Sequence, residues 1–75
     1  MEQVISKTPN VCGGVACINR TRIPVWALER YRQRNADISI ILESYPFISE
    51  SDIRAAWIYA DNHRDEIEEQ IRENE

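Results

Sequence analysis

Five arginines fall close together in the first half of the chain: Arg20, Arg22, Arg30, Arg32 and Arg34. A guanidinium group is a planar fork that matches the oxygens of a phosphate. Several of them on one surface give salt-sensitive binding to a nucleic acid. These five are therefore the expected nucleic-acid-binding residues. A structural use competes on equal terms. Cations at the end of a helix also meet the negative end of its dipole, and Arg22 could pair with Asp52 or Glu43.

The other end of the chain has the opposite chemistry. Residues 61–75 carry seven acids and two arginines, with Ile67 and Ile71 as the apolar positions. Of the 75 residues, the first 34 sum to +4 and the rest to −8, so the formal charge of −4 conceals a dipolar molecule. Such a molecule can meet an anionic partner at one end and a cationic one at the other. Glu66, Glu69 and Glu73, with Ile67 and Ile71 as apolar anchors, form the expected partner-binding face, in the manner of a helix docking into a groove.

Catalytic chemistry is poorly supplied. Spacing brings together no serine–histidine–acid or cysteine–histidine set. Cys12, Cys17 and the single histidine, His63, fall short of the four ligands of a structural zinc site. Asp61, Asp65, Glu66 and Glu69 could attract a divalent cation, but solvated helical acids seldom hold one. No enzyme activity, metal or cofactor is expected. The chain lacks an apolar run near the length of a membrane span and a basic-then-apolar start of secretory type. The expectation is a cytoplasmic protein with reduced thiols and no membrane association.

The elements that must position these residues can be read from turns and periodicity. Both glycines and two of the three prolines lie in the first 24 residues. Val4-Ile5, Val15–Ile18 and Thr21–Ile23 are short strand candidates around a Gly13-Gly14 turn. Pro24 suits a first helical position and predicts a helix from Pro24 to Arg34, with Val25, Leu28 and Tyr31 or Arg32 on one stripe. Asp37 is placed to cap a short second helix, Ile38–Ser44, with Ile38, Ile41, Leu42 and Tyr45 inward. Ser49 and Asp52 resemble a capping box opening a third helix, with Ile53, Ala56, Trp57 and Ala60 on its apolar face. Residues 62–75 read as an acidic helical tail, too poor in apolar surface to be held by its own domain, with no glycine or proline to part it from the third helix. The fold class is mainly α in one domain: a β arm over residues 1–23, a three-helix helix-turn-helix core over 24–61, and the tail.

Several segments carry a resemblance. Cys12-Gly13-Gly14-Val15-Ala16-Cys17-Ile18, then Thr21-Arg22-Ile23-Pro24-Val25-Trp26, look like the domain-of-unknown-function 433 family. So do Ile41-Leu42-Glu43-Ser44-Tyr45-Pro46, the helix Asp52-Ile53-Arg54-Ala55-Ala56-Trp57-Ile58-Tyr59, and the closing His63-Arg64-Asp65-Glu66-Ile67. The order of these segments matches the family over nearly the whole chain. One departure is Arg20, where the family usually has glycine; Asn19 is the residue better suited to a left-handed turn there. The resemblance implies a VapB-type antitoxin with a homeodomain-like helix-turn-helix. It implies a PIN-like ribonuclease toxin as partner, and binding to the operon's own promoter DNA.

Taken with the residues, this predicts a homodimeric antitoxin of a type II toxin–antitoxin pair. Its acidic helix would cover the basic RNA-binding surface of the toxin, and its arginine-rich front would bind promoter DNA. The start of the third helix, Ser49-Glu50-Ser51-Asp52, presents carboxylates where a groove-reading helix would meet phosphates, so the front is the better DNA candidate. The alternative is a stand-alone DNA-binding regulator or adaptor without a toxin.

Overall fold

The computed structural model of the chain describes residues 4–7, 14–19 and 21–74. Two short strands, β1 (Ile5–Ser6) and β2 (Cys17–Ile18), pair antiparallel, with Ile5 opposite Ile18 and Ser6 opposite Cys17. Two-residue strands do not persist alone. Here β2 is gripped on its other side by the returning chain. Ile18 N–H donates to the Ile23 carbonyl at 2.9 Å, and Val25 N–H donates to the Ala16 carbonyl at 2.9 Å. Thr21 makes the reversal: its hydroxyl donates to the Ile18 carbonyl at 2.8 Å and accepts from Ile23 N–H at 3.1 Å.

Gly14 has φ 83°, the left-handed value for which glycine is suited. Gly13, Cys12 and Arg20 lie outside the described residues. Asn19 does not take the left-handed conformation expected of it. Among the described residues, the non-glycine with positive φ is Asn35, at 59°.

Helix α1 spans Val25–Gln33, one residue shorter than expected at each end. Pro24 is the cap rather than the first helical residue, because its bridge to Cys17 holds it extended, with ψ 149°. At the other end Asn35 N–H donates to the Arg32 carbonyl and Ala36 N–H to the Tyr31 carbonyl, both at 3.0 Å. That pair of bonds around a left-handed residue is a Schellman stop, and asparagine is the residue after glycine that best tolerates it.

Helix α2, Ile38–Ser44, has the expected bounds. Asp37 precedes it, but its side chain makes no capping bond. Ile41 is fully enclosed, while Ile38, Leu42 and Tyr45 are half-buried against the core. Helix α3, Glu50–Asn62, opens on the capping box read from the sequence. Asp52 N–H donates to Ser49 Oγ at 3.3 Å, and Ser49 N–H donates to the Asp52 carboxylate at 3.0 Å. Ile53, Ala56 and Ala60 are buried on its inner face. Trp57 is half-buried, and its indole N–H donates to the Leu28 carbonyl at 3.0 Å.

The last helix corrects two expectations. It neither continues α3 nor hangs as a loose tail. Helix α4, Arg64–Glu73, is separated from α3 by the single residue His63, at φ −132° and ψ 47°. No glycine or proline is needed. His63 stacks on Tyr59, with ring centroids 3.9 Å apart, and its Nδ1 lies 3.0 Å from the Tyr59 carbonyl oxygen. That contact ends α3 and turns α4 back onto α1. Ile67 and Ile71 are then buried, with 0% and 4% exposure, in one core with Val25, Leu28, Ile41 and Ile53. Full burial of such a side chain contributes roughly 1.5–3 kcal/mol. Two isoleucines four apart meet the same face, so they suffice to dock a ten-residue helix.

Among the described residues the architecture is mainly α: an antiparallel β pair followed by four helices sharing one core.

Candidate nucleic-acid interface

The placement of the arginines begins with a buried acid. Glu29 is 2% exposed and stands on the inner stripe of α1 beside Val25 and Leu28. A carboxylate this enclosed must be paired to remain charged. Arg32 Nη2 lies 2.7 Å from Glu29 Oε1, an ion pair off the angle of a hydrogen bond. Arg64 Nη1 donates to Glu29 Oε2 at 2.8 Å. Both arginines also reach Asp61, with Arg32 at 2.7 Å. Two acids and two arginines thus lock α1, α3 and α4 together. The hydrogen bonds from Arg32, then Arg64, hold the Asp61 carboxyl below the usual carboxylate range. The same network pushes both arginines above their ordinary values, through Asp61 first for Arg32 and Glu29 first for Arg64. Arg32 lies over the Trp57 ring at 5.5 Å. Arg32 therefore holds the fold together, which is the structural use that the sequence left open beside phosphate contact.

The remaining described front arginines are placed differently. Arg22, Arg30 and Arg34 make no ion pair among the described residues. Trp26 and Arg30 on α1 and Arg34 at its C-cap recur every four residues and form one outer ridge. Together with Ala27, Tyr31, Ala36 and Tyr45 they line an open groove of about 470 Å³. Tyr31 and Tyr45 meet edge to face there, with centroids 6.2 Å apart. The Tyr31 hydroxyl donates to Ser44 Oγ at 3.3 Å, which fixes the ring across α1 and α2. Burial, with Tyr31 nearby, raises the Tyr45 phenol above its ordinary value, so it stays neutral.

Tyr45 also walls a second groove, of about 360 Å³, with Thr21, Arg22, Ile23 and Phe47. Phe47 is 84% exposed in the α2–α3 turn. One face therefore carries, among aromatic rings, three arginines with no acidic partner among the described residues. Sequence reasoning named the arginines but missed Trp26, Tyr45 and Phe47 as their neighbours. The four-residue spacing of Trp26, Arg30 and Arg34 was the available signal.

Arg54, the basic residue of α3, is held by Glu50 through bonds of 2.9 and 2.7 Å. The start of α3 is thus acidic and self-paired.

On α4 the expected partner face is divided. Burial of Ile67 and Ile71 removes both isoleucines from the surface, which corrects their role as anchors for a partner. Glu66 is half-buried, accepting from Lys7 at 3.0 Å and from the Tyr59 hydroxyl at 3.1 Å. Glu69 and Glu73 are exposed, in a row with Asp65 at four-residue spacing. Arg64 lies 3.7 Å from Glu68, and Glu68 also accepts from Gln33 at 3.1 Å.

Among the described residues no group of His, Cys, Asp and Glu could hold a metal ion, and no helix is long and apolar enough to cross a membrane.

Residues 5–60 match the family model described as protein of unknown function, DUF433. The chain is also similar to a DUF433 member protein from Anabaena variabilis ATCC 29413, known from a crystal structure at 2.00 Å. The two are 43% identical and superpose with a TM-score of 0.87, over 92% of this chain and 68% of that one. No curated protein matches.

Proposed function

The chain belongs to the DUF433 family, and from that premise we propose that it is a small nucleic-acid-binding regulator of antitoxin type. Its contact surface is the face of Arg22, Arg30 and Arg34. One observation carries this reading: these arginines have no acidic partner among the described residues, although the chain as a whole is acidic. A phosphate backbone is the partner that such a surface suits, since it recovers the ion pairs the fold leaves unmade. In a homodimer the arginines double, and with them the number of phosphates neutralised. A groove-reading use of α3 forms no part of the proposal, because Glu50 and Asp52 stand at its start.

In a type II pair the protein would also hold a PIN-like ribonuclease toxin. The exposed acids Asp65, Glu69 and Glu73, presented on a docked helix, are the surface suited to a basic nuclease cleft. The burial of Ile67 and Ile71 favours a second reading, a regulator without a toxin, because it takes away the apolar anchors of a tail-in-groove complex. Co-purification with the product of the adjacent gene separates the two. Fluorescence anisotropy with DNA from the chain's own promoter tests the shared part. Binding that falls with salt, and falls further in Arg30→Gln/Arg34→Gln, is expected; salt-independent or undetectable binding overturns it.

A further inference from the structure

Resting on that reading of the arginine face, we propose that the groove between α1 and α2 takes an unstacked base, so that the preferred ligand is single-stranded nucleic acid. Phosphate contacts alone would need only an exposed row of arginines. Here the row borders a cavity walled by Trp26, Tyr31 and Tyr45, with Arg30 and Arg34 at its rim. Aromatic walls beside cations are what a single strand uses: its bases stack on rings while its phosphates pair with guanidinium groups.

A duplex keeps its base faces stacked inside and offers the rings nothing. The volume, about 470 Å³, lies within the range of small-ligand pockets and accommodates a base with its sugar. The tyrosines are fixed in place, Tyr31 by Ser44 and by its edge-to-face contact with Tyr45, so little ordering is needed on binding. The neutral Tyr45 phenol adds no negative charge to repel a phosphate. The second groove, with Arg22 and Phe47 across Tyr45, continues the same pattern and gives the strand a path for a neighbouring nucleotide.

The test uses the full chain with fluorescently labelled oligo-dT and oligo-rU of eight nucleotides, and a duplex of the same length, at fixed salt. Both single strands are expected to bind roughly tenfold or more tightly than the duplex, in line with the stacking contribution of one or two bases. Tryptophan emission of the unaltered chain should be quenched on adding oligo-dT, and the quenching should be lost in Trp26→Leu, which keeps Trp57. Trp26→Leu should lose the single-strand advantage, bringing single strands and duplex to within about twofold of one another, as phosphate-only contact would. Equal or tighter binding of the duplex, or no quenching, overturns the inference and leaves the regulator reading standing. Absence of binding to any of the three overturns both. A concentration-dependent dimer that Trp26→Leu abolishes, with no single-strand preference, would assign the groove to a second copy of the chain instead.

Discussion

Arg30, Arg32 and Arg34 fall within five residues, the first two on α1 and Arg34 at its C-cap, yet they do opposite things. Two residues along an α-helix is a rotation of about 200°, and four residues about 40°. Arg32 therefore faces Glu29, Asp61 and Trp57 on the packed side, while Arg30 and Arg34 share the outer ridge with Trp26. A charge cluster in a sequence is not one object once it is wound. Phase decides which members hold the fold and which remain for a ligand.

That division can be broken at four points. Removing residues 64–75 should have the largest effect, because it uncovers the core side chains under Ile67 and Ile71; the expected result is loss of a cooperative thermal transition by circular dichroism. A tail with no part in the core would leave the transition intact. Next, Arg32→Met with Arg64→Met strands the buried Glu29 and should cost about 3–5 kcal/mol, read from urea midpoints. The two single variants should each cost less, and their sum should differ from the double, since they share one carboxylate.

The outer ridge should behave otherwise. Arg30→Gln with Arg34→Gln should change stability by no more than about 0.5 kcal/mol, yet lower the salt dependence of nucleic-acid binding by about one counterion per residue. A large stability loss in this pair would erase the contrast with Arg32. The smallest effect concerns acid. The Asp61 carboxyl is held below its ordinary 3.8, so its contribution is complete above that value and is lost as pH falls toward the folded-state value. Urea midpoints measured below about pH 5 should fall less steeply in Asp61→Asn than in the parent chain.

Much of the fold was legible because it rests on local rules. The Ser49–Asp52 capping box and the bounds of α2 follow from short-range chemistry that a sequence displays directly. The end of α3 was not legible: His63 stops it by stacking on Tyr59 rather than through a glycine or proline. Glu29 was equally hidden. An acid on an apolar stripe reads as a flaw until its partners are known, and Arg64 arrives from 35 residues away. The candidate interface was half visible. Its arginines stood out by type, whereas its rings come from α1, α2 and the α2–α3 turn and meet only through tertiary packing.

The docking of α4 bears on how any companion protein would be met. Because Ile67, Ile71 and the Glu29–Arg64 bond already fasten this helix to the domain, the acidic row Asp65, Glu69 and Glu73 is preformed. Its complex should assemble by rigid-body encounter, steered at long range by charge, with a small heat-capacity change and no coupled folding step.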